Sequence, residues 1–524
     1  MINPPIIITN YPWIFRIFLY IKSSIFPIMS TLYTGYESLV LGALDSGVSF
    51  ATGVPGYPIN EIMGLLMDSS VEARWSINEK VALEAALGAS AVGKRSIVIV
   101  KHVGMNILAD PLITSATHTI GAGVVIISGD DPGAEKSQNE QDSRYYGLLA
   151  EVPVFDPANP KFAYTSISYA FQLSEEVSTP VIIRVTERLN NIRDKLQREI
   201  NEFKDFPKFD RKIWSYTHKG RHQLFHKHSY PKMLKASTKT EINIYHNRGK
   251  EMGVISSGYV STLVEEVVSE KYKDVSHLAL TLINPLPRPV IDEFIKKHSR
   301  VLVIEETEPV IEQQISNEWV VGKLSGHIGH EKIETNDIIL ALKHIHHNSV
   351  IRPCKPQTIK SRGFSRSICE DCPYNVLYKV LGTLEVPVAG DLGCSIRTAS
   401  PPMEVVDMAY SLGSSIATAT GFDKKGIALI GDYGLVHTGL QGLIEAVFHK
   451  KDVLVVVLQN NIAALTGGQI VPDMTEVIKC IVPESCISIN VETVNEKKLL
   501  NVLQSELKKK GISVILARGK CRLH

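Results

Sequence analysis

Cysteine is scarce in this chain and odd in number: seven residues, Cys354, Cys369, Cys372, Cys394, Cys480, Cys486 and Cys521, in a length of 524. A secreted disulfide scaffold is dense in cysteine and pairs it evenly, so that class is excluded. Free thiols in a reducing compartment, or a metal or cluster site, remain open. An excess of either charge is also missing. Lys plus Arg numbers 56 and Asp plus Glu 55, a net charge of +1. A nucleic-acid binder shows a basic excess, so no nucleic-acid partner is expected. Long hydrophobic runs are missing except over residues 5–27. A spanning helix needs about 20 mostly apolar residues, and Asn10, Pro12, Arg16 and Lys22 interrupt this one. It also lacks the basic start and small-residue cleavage site of a signal peptide. Residues 1–30 are therefore read as a leader of doubtful reality. Either Met29 is the true start, or the leader is a surface appendage. The expectation is a soluble cytoplasmic protein with no membrane partner.

What is present is ordinary for a folded chain: 44% apolar and 21% charged residues, close to globular averages. At about 150 residues per domain, the length suggests about three domains. Apolar strands and helical stretches alternate over 34–190. Strands are expected at Val48–Thr52, Val71–Ser76, Ser96–Lys101, Ala122–Ser128 and Val181–Val185, and helices at Gly35–Ala43, Asn60–Met67 and Lys80–Gly93. This pattern predicts parallel sheets covered on both faces. Residues 193–250 differ, with 15 Lys/Arg, 6 Asp/Glu and 5 His. They read as a solvated, irregular linker, or as a basic surface for an acidic partner or phosphates. The αβ pattern resumes over 251–350. A second basic, proline-punctuated linker follows at 351–367, and a last αβ unit at 368–524. The expected division is thus 31–192, 251–350 and 368–524 as three doubly wound α/β domains, joined by two linkers.

The segment richest in chemistry runs from Gly431-Asp432-Tyr433 to Asn460. The expected strand Gly426–Ile430 ends at Gly431-Asp432, and the strand Val453–Gln459 ends at Asn460. Ligands of open α/β sheets bind outside the carboxyl ends of strands, so two oxygen ligands 28 positions apart would meet at one edge. Mg²⁺ takes oxygen ligands, few of them from the protein when phosphates complete its shell. Asp432, the Asn460 side-chain oxygen and the Ile462 carbonyl fit that role.

Gly-Asp followed after about 27 residues by Asn resembles the diphosphate-binding motif of thiamine diphosphate enzymes. Other segments narrow the resemblance: Thr466-Gly467-Gly468-Gln469, Lys101-His102-Val103-Gly104-Met105-Asn106, the stretch from Ser137-Gln138-Asn139 to Arg144-Tyr145-Tyr146, Asn284-Pro285-Leu286-Pro287, and Glu305-Glu306-Thr307-Glu308-Pro309. Together they resemble the large subunit of indolepyruvate:ferredoxin oxidoreductases, within the 2-oxoacid:ferredoxin oxidoreductases, from about Thr34 to Cys521. The resemblance implies a pyrimidine-binding domain at 31–192, a transketolase-C-like middle domain at 251–350 and a diphosphate-binding domain at 368–524. It also implies thiamine diphosphate, Mg²⁺ and coenzyme A, a smaller second subunit, a ferredoxin or ferredoxin-like electron acceptor, and a dimer of heterodimers.

Glu79 stands between an expected strand and helix, where the family carries the acid that activates the cofactor's pyrimidine. On position alone it is equally an ordinary helix N-terminal Glu favoured by the macrodipole. His102 and His437 follow strand ends and are candidate proton carriers. Gly53, Pro55, Asn106, Gly390, Asp391, Tyr433, Leu465 and Thr466 complete the expected cofactor cradle. In the family the loop after Gly53 carries small hydroxyl residues beside the substrate; here Tyr57, Ile59 and Asn60 stand instead, which bears on substrate identity.

Cys369 and Cys372 form a Cys-x-x-Cys, while Cys394 and Cys521 each follow an expected strand end. Four thiolates hold an iron–sulfur cluster, and the resemblance places a [4Fe–4S] cluster on these four. A Cys₄ zinc site and unligated thiols are the alternatives. Two departures stand out. Gln459 replaces the Asp that usually precedes the metal Asn. No paired Cys-x-x-Cys-x-x-Cys run of the family's ferredoxin module is found, so electrons are expected to need a separate carrier. The implied reaction is oxidative decarboxylation of an aryl-type 2-oxoacid to acyl-CoA and CO₂. The alternatives are a non-oxidative thiamine decarboxylase or a non-catalytic paralogous subunit.

Overall fold

Val98 and Val100 point to one side of the strand Ser96–Lys101, Ile97 and Ile99 to the other, and all four are fully buried. The same split recurs at Val124–Asp130, where Val125 and Ile127 join one core and Val124 and Ile126 the opposite one. Strands apolar on both faces need helices on both faces. The computed structural model shows that arrangement; it describes residues 32–198, 209–214, 218–239, 241–330, 332–350 and 368–524. The leader, the linker 351–367 and Cys354 lie outside the described residues. The chain divides into two compact units, Met1–Pro353 and Cys354–His524.

The first unit holds two large sheets. One runs Leu282–Asn284, Val154–Phe155, Val181–Thr186, Val124–Asp130, Ser96–Lys101, Phe50–Gly53, Glu72–Trp75, parallel except for the first pair. The other runs Val320–Val321, Arg300–Ile304, Met252–Ser257, Ser276–Leu280, Ile244–His246, parallel except at the last pair. One apolar core serves both, joining Val154 and Ile182 of the first sheet to Ile255, Leu278 and Val301 of the second. Strand ends differ from the sequence reading by at most two residues, as fraying makes usual.

The basic stretch 193–250 is not wholly irregular. Residues 218–237 are helical, with a π-turn at Phe225–Ser229 between the helices His218–Leu224 and Tyr230–Ser237. Phe225, Met233 and Ala236 are buried in the first sheet's core. Three apolar residues at helical spacing suffice to dock this helix, but are too few to stand out among so many Lys and Arg.

The second unit carries one wholly parallel sheet, ordered Val388–Ala389, Gly426–Gly431, Val453–Gln459, Ile512–Arg518, Cys486–Asn490. Leu454, Val456 and Leu458 face one core, and Val453, Val455 and Val457 the other. Among the described residues no helix is long and apolar enough to cross a membrane.

Candidate active site

In the second unit, four neighbouring strands deliver chemistry at one carboxyl edge. Val388–Ala389 leads into Gly390 and Asp391, Gly426–Gly431 into Asp432, Val453–Gln459 into Asn460, and Ile512–Arg518 toward Cys521. Asp432 is buried, and its carboxylate accepts main-chain N–H bonds from Tyr433 at 2.8 Å, Asn460 at 2.9 Å and Asn461 at 2.5 Å. Burial pushes it up to about 6, against those donors. A buried carboxylate raised in this way gains from a nearby cation. The Asn460 side-chain oxygen, which accepts from the Ile462 N–H at 3.1 Å, adds a second hard donor. Carboxylate and amide oxygens are what Mg²⁺ takes, so the donor set fits that ion.

Asp391 is fully buried, accepts the Gly413 N–H at 2.6 Å, and is pushed up to about 6 by burial. A β-carbon on Gly434 would lie 2.0 Å from the Asp391 carboxylate. The helical run after Asp432 can therefore sit flush on Asp391 only with glycine there. Gly390 is likewise close-packed, its absent β-carbon 2.5 Å from Val406. His437 is buried in the π-turn Leu435–Gly439, its ring 6.3 Å from that of Tyr433 and within electrostatic reach of Asp391. Thr466 donates to Gln469 at 2.9 Å, and Leu465 is exposed, both in the small hairpin after Asn460. Gln459 is drawn into a polar network. Its amide donates to Asp473 at 2.9 Å and accepts from Arg518 at 3.3 Å, so Asp473 carries the negative charge that Gln459 lacks.

The four singled-out cysteines come together. Cys372 lies within electrostatic reach of Cys369 and Cys521, and Cys394 within reach of all three others. Burial pushes the Cys372 thiol up to about 11 and that of Cys394 up to about 12. Tyr374, which sequence reasoning missed, sits among them: buried, donating to the Gly519 carbonyl at 3.2 Å, and within reach of Asp432 as well as Cys372, Cys394 and Cys521. The thiol quartet and the Asp432 pocket are therefore neighbours. The only available signal was the position of Tyr374 just after the Cys-x-x-Cys. Cys480 is exposed, and Cys486 lies at the start of the sheet's last strand.

In the first unit Asn78 caps the helix Glu79–Ala91, accepting from the Lys80 N–H at 2.8 Å, and this places Glu79 at the helix N-terminus. Glu79 is buried. Gly104, in the helix His102–His118, packs so close that a β-carbon there would lie 2.8 Å from the Glu79 carboxyl. His102 is fully buried and its two ring nitrogens face the carbonyls of Gly129, at 3.3 Å, and Asn139, at 3.2 Å. It thus clasps two chain segments, and desolvation lowers its pKa. Asn106 accepts from the Tyr146 hydroxyl. In the Gly53 loop, Ile59 belongs to the core and Asn60 accepts the Gly56 N–H at 2.7 Å. Pro55 is buried, and Gly53 lets the strand Ser96–Lys101 approach, since a β-carbon there would lie 2.0 Å from the Ile99 carbonyl. Tyr57, partly exposed, donates to Glu187, with the Lys136 ammonium 4.4 Å over its ring. Lys101, also missed, ends a central strand, and desolvation lowers its pKa to about 8.

Two of the segments that carry the resemblance build a joint between the first unit's two sheets, and a third braces the first sheet beside it. Arg144 is fully buried and pairs with Asp142 at 2.6 Å and Glu305 at 2.9 Å. Asp142 accepts the Thr307 and Glu308 N–H groups, both at 3.0 Å. Asn284 donates to the Gly147 and Val152 carbonyls at 3.0 and 2.6 Å.

Residues 391–515 match the family model of the thiamine pyrophosphate enzyme C-terminal TPP binding domain. Indolepyruvate oxidoreductase subunit IorA of Methanothermobacter thermautotrophicus is 32% identical, over 93% of this chain and 86% of the relative. The chain belongs to the indolepyruvate oxidoreductase subunit IorA family. The Archaeoglobus fulgidus member is 28% identical over the same shares of each chain. Among solved structures, 2-oxoglutarate:ferredoxin oxidoreductase from Magnetococcus marinus is similar at a TM-score of 0.47 and 15% identity, over 60% of this chain and 65% of that one. Membership of the IorA family makes the chain a subunit of a 2-oxoacid oxidoreductase, and Asp391, Cys394, Asp432 and Asn460 of its carboxyl-edge site fall within the matched TPP-binding segment.

Proposed function

We propose that this chain is the large subunit of an enzyme that oxidatively decarboxylates an indolepyruvate-like 2-oxoacid, forms the acyl-CoA and passes electrons to a ferredoxin-type acceptor. The observation that carries the reading is the meeting, at one parallel-sheet edge, of Asp432 and Asn460 with four cysteines. The relatives' names support the substrate and a second subunit. In this reading residues 31–192 bind the pyrimidine, 251–350 form the middle domain and 368–524 bind the diphosphate.

Asp432, the Asn460 side-chain oxygen and the Ile462 carbonyl would hold Mg²⁺ against the diphosphate. Thiamine diphosphate, once bound, supplies the nucleophilic carbon and the electron sink for decarboxylation. Glu79, buried and packed against Gly104, would hold a proton at the pyrimidine ring. His437 would accept or return a proton beside the reacting carbon. His102 would act as a positioning residue through its two carbonyl contacts, and Tyr57 would border the substrate. Cys369, Cys372, Cys394 and Cys521 would hold a [4Fe–4S] cluster. A Cys₄ zinc site on the same four thiols is the alternative.

The test is anaerobic turnover of the chain, expressed with its partner subunit, on a panel of 2-oxoacids with coenzyme A and a viologen acceptor. Indolepyruvate and phenylpyruvate should give the highest kcat/KM, at least tenfold above pyruvate and 2-oxoglutarate. Equal or better use of 2-oxoglutarate would overturn the substrate assignment.

A further inference from the structure

Outside that site, one more group of metal-ligating side chains converges. Glu151, His222 and His226 bring one donor atom each to within 4.8 Å of one another, the one such trio among the described residues. His222 Nε2 is 3.5 Å and His226 Nε2 3.3 Å from the same Glu151 oxygen, and the two nitrogens are 3.0 Å apart. With metal–nitrogen bonds of about 2.0–2.1 Å, a tetrahedral ion separates its ligand atoms by about 3.3 Å. The three observed distances bracket that edge, so the donors already outline one face of a tetrahedron.

The surroundings hold the donors in this arrangement. His222 and His226 stand four residues apart on the helical run 218–237, on one face of it. The π-turn Phe225–Ser229 begins between them, and π-turns recur at functional sites. Phe225 is buried and meets the His226 ring edge-on at 5.2 Å, while Tyr230 lies 5.8 Å from it on another side. Glu151 follows the helix Tyr145–Ala150 with a left-handed backbone, φ 56°, which turns it toward the histidines.

We propose that Glu151, His222 and His226 form a binding site for a borderline divalent transition-metal ion, zinc in the first instance. Imidazole suits zinc and disfavours Mg²⁺, so the cofactor's metal would not compete. Three protein ligands leave the fourth position to water, and both imidazoles are about half exposed, which leaves a path for the ion to enter. The bound ion would pin the basic helical segment to the first sheet's edge.

The experiment is zinc binding by equilibrium dialysis to the metal-stripped full chain, comparing wild type with H222A/H226A, E151Q and H228A. The cysteines are the same in all four, so the difference reports this site. Wild type and H228A should bind one more zinc ion per chain than H222A/H226A, E151Q should bind it at least tenfold more weakly, and zinc should raise the Tm of wild type but not of H222A/H226A. Because H222A/H226A removes ring packing, H226Q is a milder check that should also lose the ion. Equal zinc stoichiometry and affinity in wild type, H226Q and H222A/H226A would overturn the proposal.

Discussion

At Gly104 there is no room for a β-carbon, because the Glu79 carboxyl lies 2.8 Å from where it would stand. Alanine normally favours a helix over glycine by about 1 kcal/mol, so a Gly104→Ala chain should fold. Its Glu79 must shift instead. We expect Gly104→Ala to keep its Tm within a few degrees and lose at least tenfold in kcat. Glu79→Gln should lose about 100-fold or more, the scale of one proton-transfer group; thermal melts beside steady-state rates check both. Full turnover by Gly104→Ala would separate Glu79 from the chemistry. Asp432 and Asn460 were legible as candidates because each follows a strand, and Glu79 because it opens the helix after one, places set by local pattern. Gly104, Lys101 and Tyr374 were not, because their roles arise from neighbours the chain brings close only on folding.

Among elements, the joint between the first unit's two sheets rests on buried charge. Removing one partner of a buried pair costs about 3–5 kcal/mol. Arg144→Met leaves both Asp142 and Glu305 without their guanidinium, and its urea midpoint should fall accordingly. Burial alone would raise Asp142, but Arg144, Arg184 and main-chain donors hold it well below the usual carboxylate range. Its folded-state value is thus below its unfolded one, so its contribution is present above about pH 4 and is lost as pH falls below that. Between pH 5 and 3 the wild-type urea midpoint should drop more steeply than that of Asp142→Asn. Strands and most helices were legible within a few residues, because two-sided burial writes continuous apolar runs. The joint was not, since its halves lie about 160 positions apart. Nor was the helical run 218–237, whose apolar contacts are few.

For the whole molecule, the order of the αβ segments pointed to three sheets, and three large sheets are present. Their packing into two compact units could not be read from sequence, because the core shared by the first two sheets is a tertiary feature. If the cysteine quartet carries the electrons, Cys394→Ser should lose most of its iron and its acceptor reduction while still binding thiamine diphosphate; iron analysis and calorimetry check this. The most direct measurement of the central claim is the ratio of electrons delivered to a viologen acceptor to CO₂ released, taken anaerobically with indolepyruvate and coenzyme A. Oxidative decarboxylation gives two electrons per CO₂, and that is the expected value. CO₂ release with no acceptor reduced, by enzyme with its full iron content, would contradict the account and point to a non-oxidative decarboxylase.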